Sequence, residues 1–357
     1  MRADVLLRPG LVRGALLAAS LLLVAGCGER PDAQAEDSVD AGVVNIYSHR
    51  HYEEDQALFD RFAEQTGITV NVVTGSADEL ITRLENEGAS TPADVLITVD
   101  AGRLHRAKSR GLLQPVESET LERQVPSHLR DAEGYWYGMT QRARVIVYAK
   151  DRVSPDSLST YEALAGPEWR GRLLVRSSDN VYNQSLLASL IAASDTSRAE
   201  AWARGVVANM ARAPSGGDTD QAKAVAAGIG DVALVNTYYV ARMVTSDDAE
   251  ERRAGEQLAV FFPNQAVRGT HVNVSGAGVT AHARHRQNAL RLLEYLTAPD
   301  AQRALAETVF EFPVNPAVEP AALLRQWGEF RADTLTLSRL GELNAAAVRI
   351  FDRAGWR

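Results

Sequence analysis

From Val43 onward the chain alternates short apolar runs of strand length with longer stretches whose apolar residues recur at helical spacing. A strand, a helix and a further strand in that order bury their apolar faces best by stacking helix on sheet, so the alternation predicts an α/β layered fold. The spacing predicts strands over 43–47, 69–74 and 94–98, with helices over 53–66, 78–87 and 101–110 between and after them. Gly67 suits the left-handed turn that ends the first helix. A second series follows: a strand over 173–176, helices over 182–193, 196–209 and 218–227, and a strand over 232–235. The segments 258–262 and 271–279 read as extended, and helices are expected over 287–297, 299–308 and 340–353. The two series leave room for two domains. The runs 145–149 and 274–281 are candidates for strands crossing between them, which makes each lobe discontinuous. The expected division is 42–140 plus about 270–315 for the first lobe, and 141–269 plus about 316–357 for the second.

The amino terminus sets the compartment. Arg2, Arg8 and Arg13 precede an apolar stretch, Ala15 to Val24, that is too short to span a bilayer. A basic start, an apolar middle and small residues at the end predict a signal peptide over 1–26. It ends Leu23-Val24-Ala25-Gly26-Cys27, which has the form of a bacterial lipobox, and Cys27 is the only cysteine in the chain. Cys27 is therefore expected to carry lipid, with 27–41, acidic and poor in apolar residues, as a flexible tether. Three arginines and one aspartate leave with the signal, so the formal charge moves from −8 to −10. That balance argues against nucleic acid as a partner. A single cysteine excludes a disulfide framework and cysteine-rich zinc sites.

The chemistry points to tyrosine. There are ten in the chain, and several fall where a strand gives way to a helix: Tyr52 in Tyr47-Ser48-His49-Arg50-His51-Tyr52, Tyr182 in Ser178-Asp179-Asn180-Val181-Tyr182, and Tyr238-Tyr239 after the run Val232 to Val235. The carboxyl ends of strands in an open α/β sheet are where ligands bind. Phenolate is a hard anionic oxygen donor. A phenol holds its proton up to about pH 10, so only a strongly polarising cation displaces it at neutrality. Several phenols facing one cleft suit ferric iron. Four tyrosinates and a neutral histidine around Fe3+ would leave one negative charge, and Arg142 and Arg242 are the cations expected to offset it. Tyrosinates favour Fe3+, though neutral histidine and protonated phenols could accept Fe2+ at some cost.

Four motifs together, Tyr47-Ser-His-Arg-His51-Tyr52, Gln141-Arg142-Ala-Arg144-Val, Ser178-Asp-Asn-Val-Tyr182-Asn-Gln and Asn236-Thr-Tyr238-Tyr239-Val-Ala-Arg242, resemble the periplasmic iron-binding proteins of ABC transporters, the ferric-binding proteins of the FutA/FbpA type. The resemblance spans roughly 42–357. It implies a two-lobe periplasmic-binding-protein fold of type II, with the ligand cleft between lobes joined by hinge strands. It also implies His51 and Tyr52 as iron ligands from the first lobe, and Tyr182, Tyr238 and Tyr239 from the second. The retention of both His51 and Tyr52 looks like the type that needs no accompanying anion. The implied partners are an ABC permease and its ATPase, with the protein a lipid-anchored monomer on the periplasmic or cell-surface side and iron its cargo rather than an organic cofactor.

Other readings stand beside this one. The same fold could carry an organic cation boxed by aromatic rings, an anion or an iron chelate. An enzyme is not expected, since the chain has no Gly-x-Ser-x-Gly elbow, no His-Glu-x-x-His and no phosphate loop of the Gly-Lys-Ser/Thr kind. His49, His105, His271, His282 and His285 lack metal-ligand spacing and are expected at the surface or at caps. Asp218 reads as a helix N-cap, Tyr135 to Gly138 as packing, and Arg50 and Arg144 as salt-bridge residues.

Overall fold

The computed structural model describes residues 42–50 and 52–357. Nine strands are named among them: β1 (Val43–Ser48), β2 (Thr69–Thr74), β3 (Val95–Thr98), β4 (Tyr137–Ala149), β5 (Leu173–Leu174), β6 (Val232–Asn236), β7 (Leu258–Phe261), β8 (Val272–Val279) and β9 (Phe312–Pro313). They pair in the order β2-β1-β3-β8-β4-β6-β5, with β7 and β9 also on β4. β1 is parallel to β2 and β3, while β8 lies antiparallel between β3 and β4.

β4 organises the molecule. Its first half, Tyr137 to Ala143, pairs with β8; its second half, Arg144 to Tyr148, pairs with β6, and Ile146 to Ala149 pairs with β7. One strand thus belongs to both halves of the sheet. The sequence reading found only 145–149 of its 13 residues. Thr140, Gln141, Arg142 and Arg144 disguise the rest as polar chain, although Thr140, Arg142 and Arg144 are buried. Trp136 and Tyr137 are buried as expected.

Local chemistry explains the helix ends. Glu53–Thr66 carries Glu53, Glu54 and Asp55 in its first turn, where the helix dipole favours negative charge, and stops at Gly67 with φ of 74°. Ala77–Glu87 starts from a reciprocal Ser76–Glu79 capping box. Val181–Ala193 is apolar on nearly every side and buried through most of its length, in contact with Thr196–Asn209 and Asn344–Ala354.

Two expected elements differ. β5 keeps only Leu173 and Leu174 of 173–176, because the Arg176 carbonyl accepts hydrogen bonds from Asn183 (2.9 Å) and the Trp356 indole (2.8 Å) rather than from a neighbouring strand. The single helix expected over 340–353 is two, Ser338–Glu342 and Asn344–Ala354, meeting at Leu343. The first packs on Ala101–Ser109 and the second on Thr196–Asn209, so the chain turns to serve two surfaces. Among the described residues no helix is long and apolar enough to cross a membrane. The expected signal peptide, Cys27, the tether and His51 lie outside the described residues.

Candidate metal centre

Three strand-to-helix junctions deliver phenols to one place. After β1, Tyr52 occupies the N-cap position of Glu53–Thr66 with extended backbone. After β5, the Asn180 side chain accepts the backbone N–H of Tyr182 (3.1 Å), which fixes that phenol in the first turn of Val181–Ala193. The third junction has no loop: Asn236 is both the last residue of β6 and the N-cap of Thr237–Val244, so Tyr238 and Tyr239 sit in the helix's first turn.

The four side chains meet. The Tyr182 and Tyr238 hydroxyl oxygens lie 3.2 Å apart, and Tyr238 is close enough to Tyr52 and Tyr239 to lower the pKa of both against the effect of burial. The Tyr52 ring stands edge-on to Tyr238, with centroids 6.4 Å apart, and Tyr238 and Tyr239 lie against each other at 4.2 Å. Tyr238, at the centre, is 1% exposed. Burial pushes its hydroxyl far above the usual phenol range, and the phenols of Tyr182, Tyr52 and Tyr239 push it further. Burial likewise raises Tyr52, with Glu311 adding to it, and raises Tyr239, with Tyr182 and Asp218 adding. These phenols hold their protons at neutral pH unless a cation takes their place. Among the described residues no group of three or more His, Cys, Asp or Glu is placed to hold a metal ion.

Guanidinium groups surround the phenols. Arg142 lies 5.3 Å from the Tyr182 ring centroid, with Arg144 and Arg176 each at 5.8 Å. Tyr52 has Arg50 at 4.6 Å and Arg242 at 4.7 Å. The three fully buried arginines are matched by buried carboxylates. Arg50 donates to Asp55 (2.9 Å) and Glu311 (2.6 Å), and Arg142 reaches Glu311 at 3.4 Å and the Ser275 hydroxyl at 2.8 Å. Arg144 donates to Asp218 (2.6 Å) and Asn183 (2.9 Å). Burial pushes the Glu311 carboxyl up, but Arg50 and Arg142 outweigh it and hold it below the usual carboxylate range. Arg50 and Arg144 are thus salt-bridge residues, as expected, and Arg142 and Arg242 each face a phenol ring while paired to Glu311 and Glu54.

Asp218 and His271 correct the sequence reading. Gly217 holds the N-cap of Asp218–Ala226, and the fully buried Asp218 carboxylate accepts from Arg144 and from the Asn236 backbone N–H (3.0 Å), bracing the strand end that carries the tyrosine pair. His271 is buried; with Arg142, Arg144, Tyr182, Asn236 and Asn273 it lines a crevice of about 10 Å3, room for little more than one water. Burial, followed by Arg268, Arg144 and Arg142, pushes its pKa down to about 3, so it stays neutral. Glu311 escaped the sequence reading because its partners Arg50 and Arg142 are distant in the chain. The available signal was a carboxylate between two phenylalanines, Phe310 and Phe312, with Phe310 in the left-handed region at φ of 59°.

A two-halved sheet with its polar site at the strand ends is the architecture of a solute-binding protein. The chain belongs to the bacterial extracellular solute-binding proteins, whose family model matches residues 57–332; these are a non-enzymatic class. Within it the chain is 48% identical over 336 residues to iron uptake protein A1 of Synechocystis sp., covering 94% of this chain and 93% of that protein. The Trichodesmium protein FutA (IdiA), solved in complex with iron and citrate, is 50% identical with a TM-score of 0.85, over 88% of this chain and 100% of that one. The Campylobacter jejuni ferric binding protein superposes with a TM-score of 0.85 at 40% identity, over the same 88% of this chain and all of its own. The fold class is accordingly the two-lobe type II periplasmic-binding-protein fold.

Proposed function

We propose that this chain is the iron-capturing subunit of an ABC importer, binding Fe3+ between two lobes through Tyr52, Tyr182, Tyr238 and Tyr239, with His51 as a further ligand. The observation that carries the reading is the four-phenol cluster around Tyr238, in which Tyr182 and Tyr238 stand 3.2 Å apart. Four hydroxyls from three separate junctions have little reason to share one buried point unless a cation replaces their protons. The names of the relatives, an iron uptake protein and ferric binding proteins, support the same cargo. The lobes are 42–140 plus about 270–315 and 141–269 plus about 316–357, with β4 and β8 as hinge strands. Iron lands on the tyrosines of the second lobe, and closure brings Tyr52 and His51 onto it. The chain, a monomer, is tethered by lipid on Cys27 after loss of 1–26, and its loaded form docks on a membrane permease whose ATPase drives release.

The test is a visible spectrum of the purified protein with ferric citrate, with metal content measured in parallel. A red-orange tyrosinate-to-iron band with about one iron bound per chain is expected. Tyr239→Phe should bleach most of that band and weaken binding strongly; unchanged colour and affinity in this variant would sink the ligand assignment. Iron bound without colour would indicate Fe2+ or protonated phenols. A second reading, an iron chelate as cargo, is supported by the Trichodesmium relative, solved in complex with iron and citrate. Citrate retained in equal amount with the iron after desalting would select it.

A further inference from the structure

We infer that Glu54 and Arg242 form the latch that holds the two phenol-bearing segments together over the bound cation, with Glu54 acting as a positioning residue through Arg242. The inference rests on the iron-binding reading above. β1, which leads to Tyr52, pairs with β2 and β3; β6, which leads to Tyr238 and Tyr239, pairs with β4 and β5. No backbone ladder joins these two strands, so their phenols are brought together by side chains. Two such contacts are on hand besides the phenols themselves. Arg242, in the last turn of Thr237–Val244, donates to Glu54, in the first turn of Glu53–Thr66, at 3.2 Å. The same guanidinium lies 4.7 Å from the Tyr52 ring centroid. One cation therefore grips the first segment twice, by its carboxylate and by its aromatic face, beside the point where Tyr52 meets Tyr238.

Each charge also sits at the helix end its dipole favours. That alone explains an acid at one end and a base at another, but not why the base leaves its own helix to cover the other segment's phenol. Both side chains are about a third exposed, 33% for Glu54 and 36% for Arg242. A pair so placed can part when the cleft opens, and it is open to screening by salt. A fully buried pair would resist both, because separating it strands charge away from water. The buried Arg50–Glu311 pair is of that kind, and by the proposed division it lies within the first lobe, whereas the half-exposed Glu54–Arg242 pair spans the two.

The experiment follows loss of the visible band as an excess of strong chelator strips iron from the loaded full chain. It compares the native protein with Glu54→Gln, Arg242→Gln and the double variant, at low and high salt. Each single change is expected to speed release by roughly 2- to 5-fold, the scale of a half-exposed ion pair. The double variant should release no faster than the faster single, because both remove one contact. Salt should speed release from the native protein and have little effect on the variants. Unchanged rates, or single effects that multiply in the double variant with the salt response intact, would overturn the latch. A native protein that takes up ferric iron without any band, or takes up none, would instead overturn the tyrosinate reading on which the latch rests.

Discussion

His271 shows how strongly the surroundings of the phenols disfavour one more proton. Burial and the nearby Arg268, Arg144 and Arg142 push its imidazole down to about 3, against about 6.5 in an unfolded chain. Because the folded value is the lower one, the unfolded chain takes up the proton first as pH falls. The stability this group contributes is therefore complete above about pH 6.5 and is lost progressively from there down toward pH 3. The loss from this one group approaches about 1.4 kcal/mol per pH unit well below pH 6.5. Urea unfolding of the iron-free protein at pH 7, 6 and 5 should show that slope, and His271→Gln should flatten it. An equal slope in the variant would mean that other groups carry the acid sensitivity. At the same scale lies the residue that sequence reading missed. Glu311 is 261 positions from Arg50 and 169 from Arg142; a carboxylate whose partners are so distant leaves no periodic trace in the chain.

Elements place the phenols, and caps place the elements. The Asn180 side chain closes the first turn of Val181–Ala193 on the Tyr182 N–H. Asn180→Ala should cost about 1 kcal/mol of stability, read as a lower urea midpoint at unchanged slope, and should weaken iron binding through a looser Tyr182. An unaltered midpoint would mean that the buried body of the helix alone fixes its start. Most helices and strands were legible because local signals agreed: the capping box at Ser76, the left-handed Gly67, and the apolar run Val232 to Val235. The tyrosine junctions were legible for the same reason. Legibility failed where long-range packing overrode local pattern. β4 carries buried arginines that read as loop, and its true length depends on carboxylates from elsewhere in the chain. The break at Leu343 depends on two docking surfaces that no local pattern announces.

At the scale of the whole molecule, the proposed capture of iron by the phenols exchanges one cation for several protons. Tyr52, Tyr238 and Tyr239 all have their hydroxyl pKa raised in the cation-free protein, burial being the first cause in each. Loading in weakly buffered solution should therefore release more than one proton per iron, and apparent affinity should fall more than tenfold per unit drop in pH. Indicator-dye titration beside a chelator-competition series measures both; fewer than one proton released would place iron on neutral groups. The proposed closure adds a geometric demand, because phenols from separate segments must arrive at one point. Here the absence of any loop between β6 and Thr237–Val244 has a consequence for how such a chain can vary. Each helical residue advances the direction of its side chain by about 100°. One residue gained or lost between Asn236 and Tyr238 would swing both rings out of the cleft, with no slack nearby to restore them. Loops elsewhere can lengthen or shorten over generations, but at this seam the reading frame of the backbone is itself part of the proposed binding site.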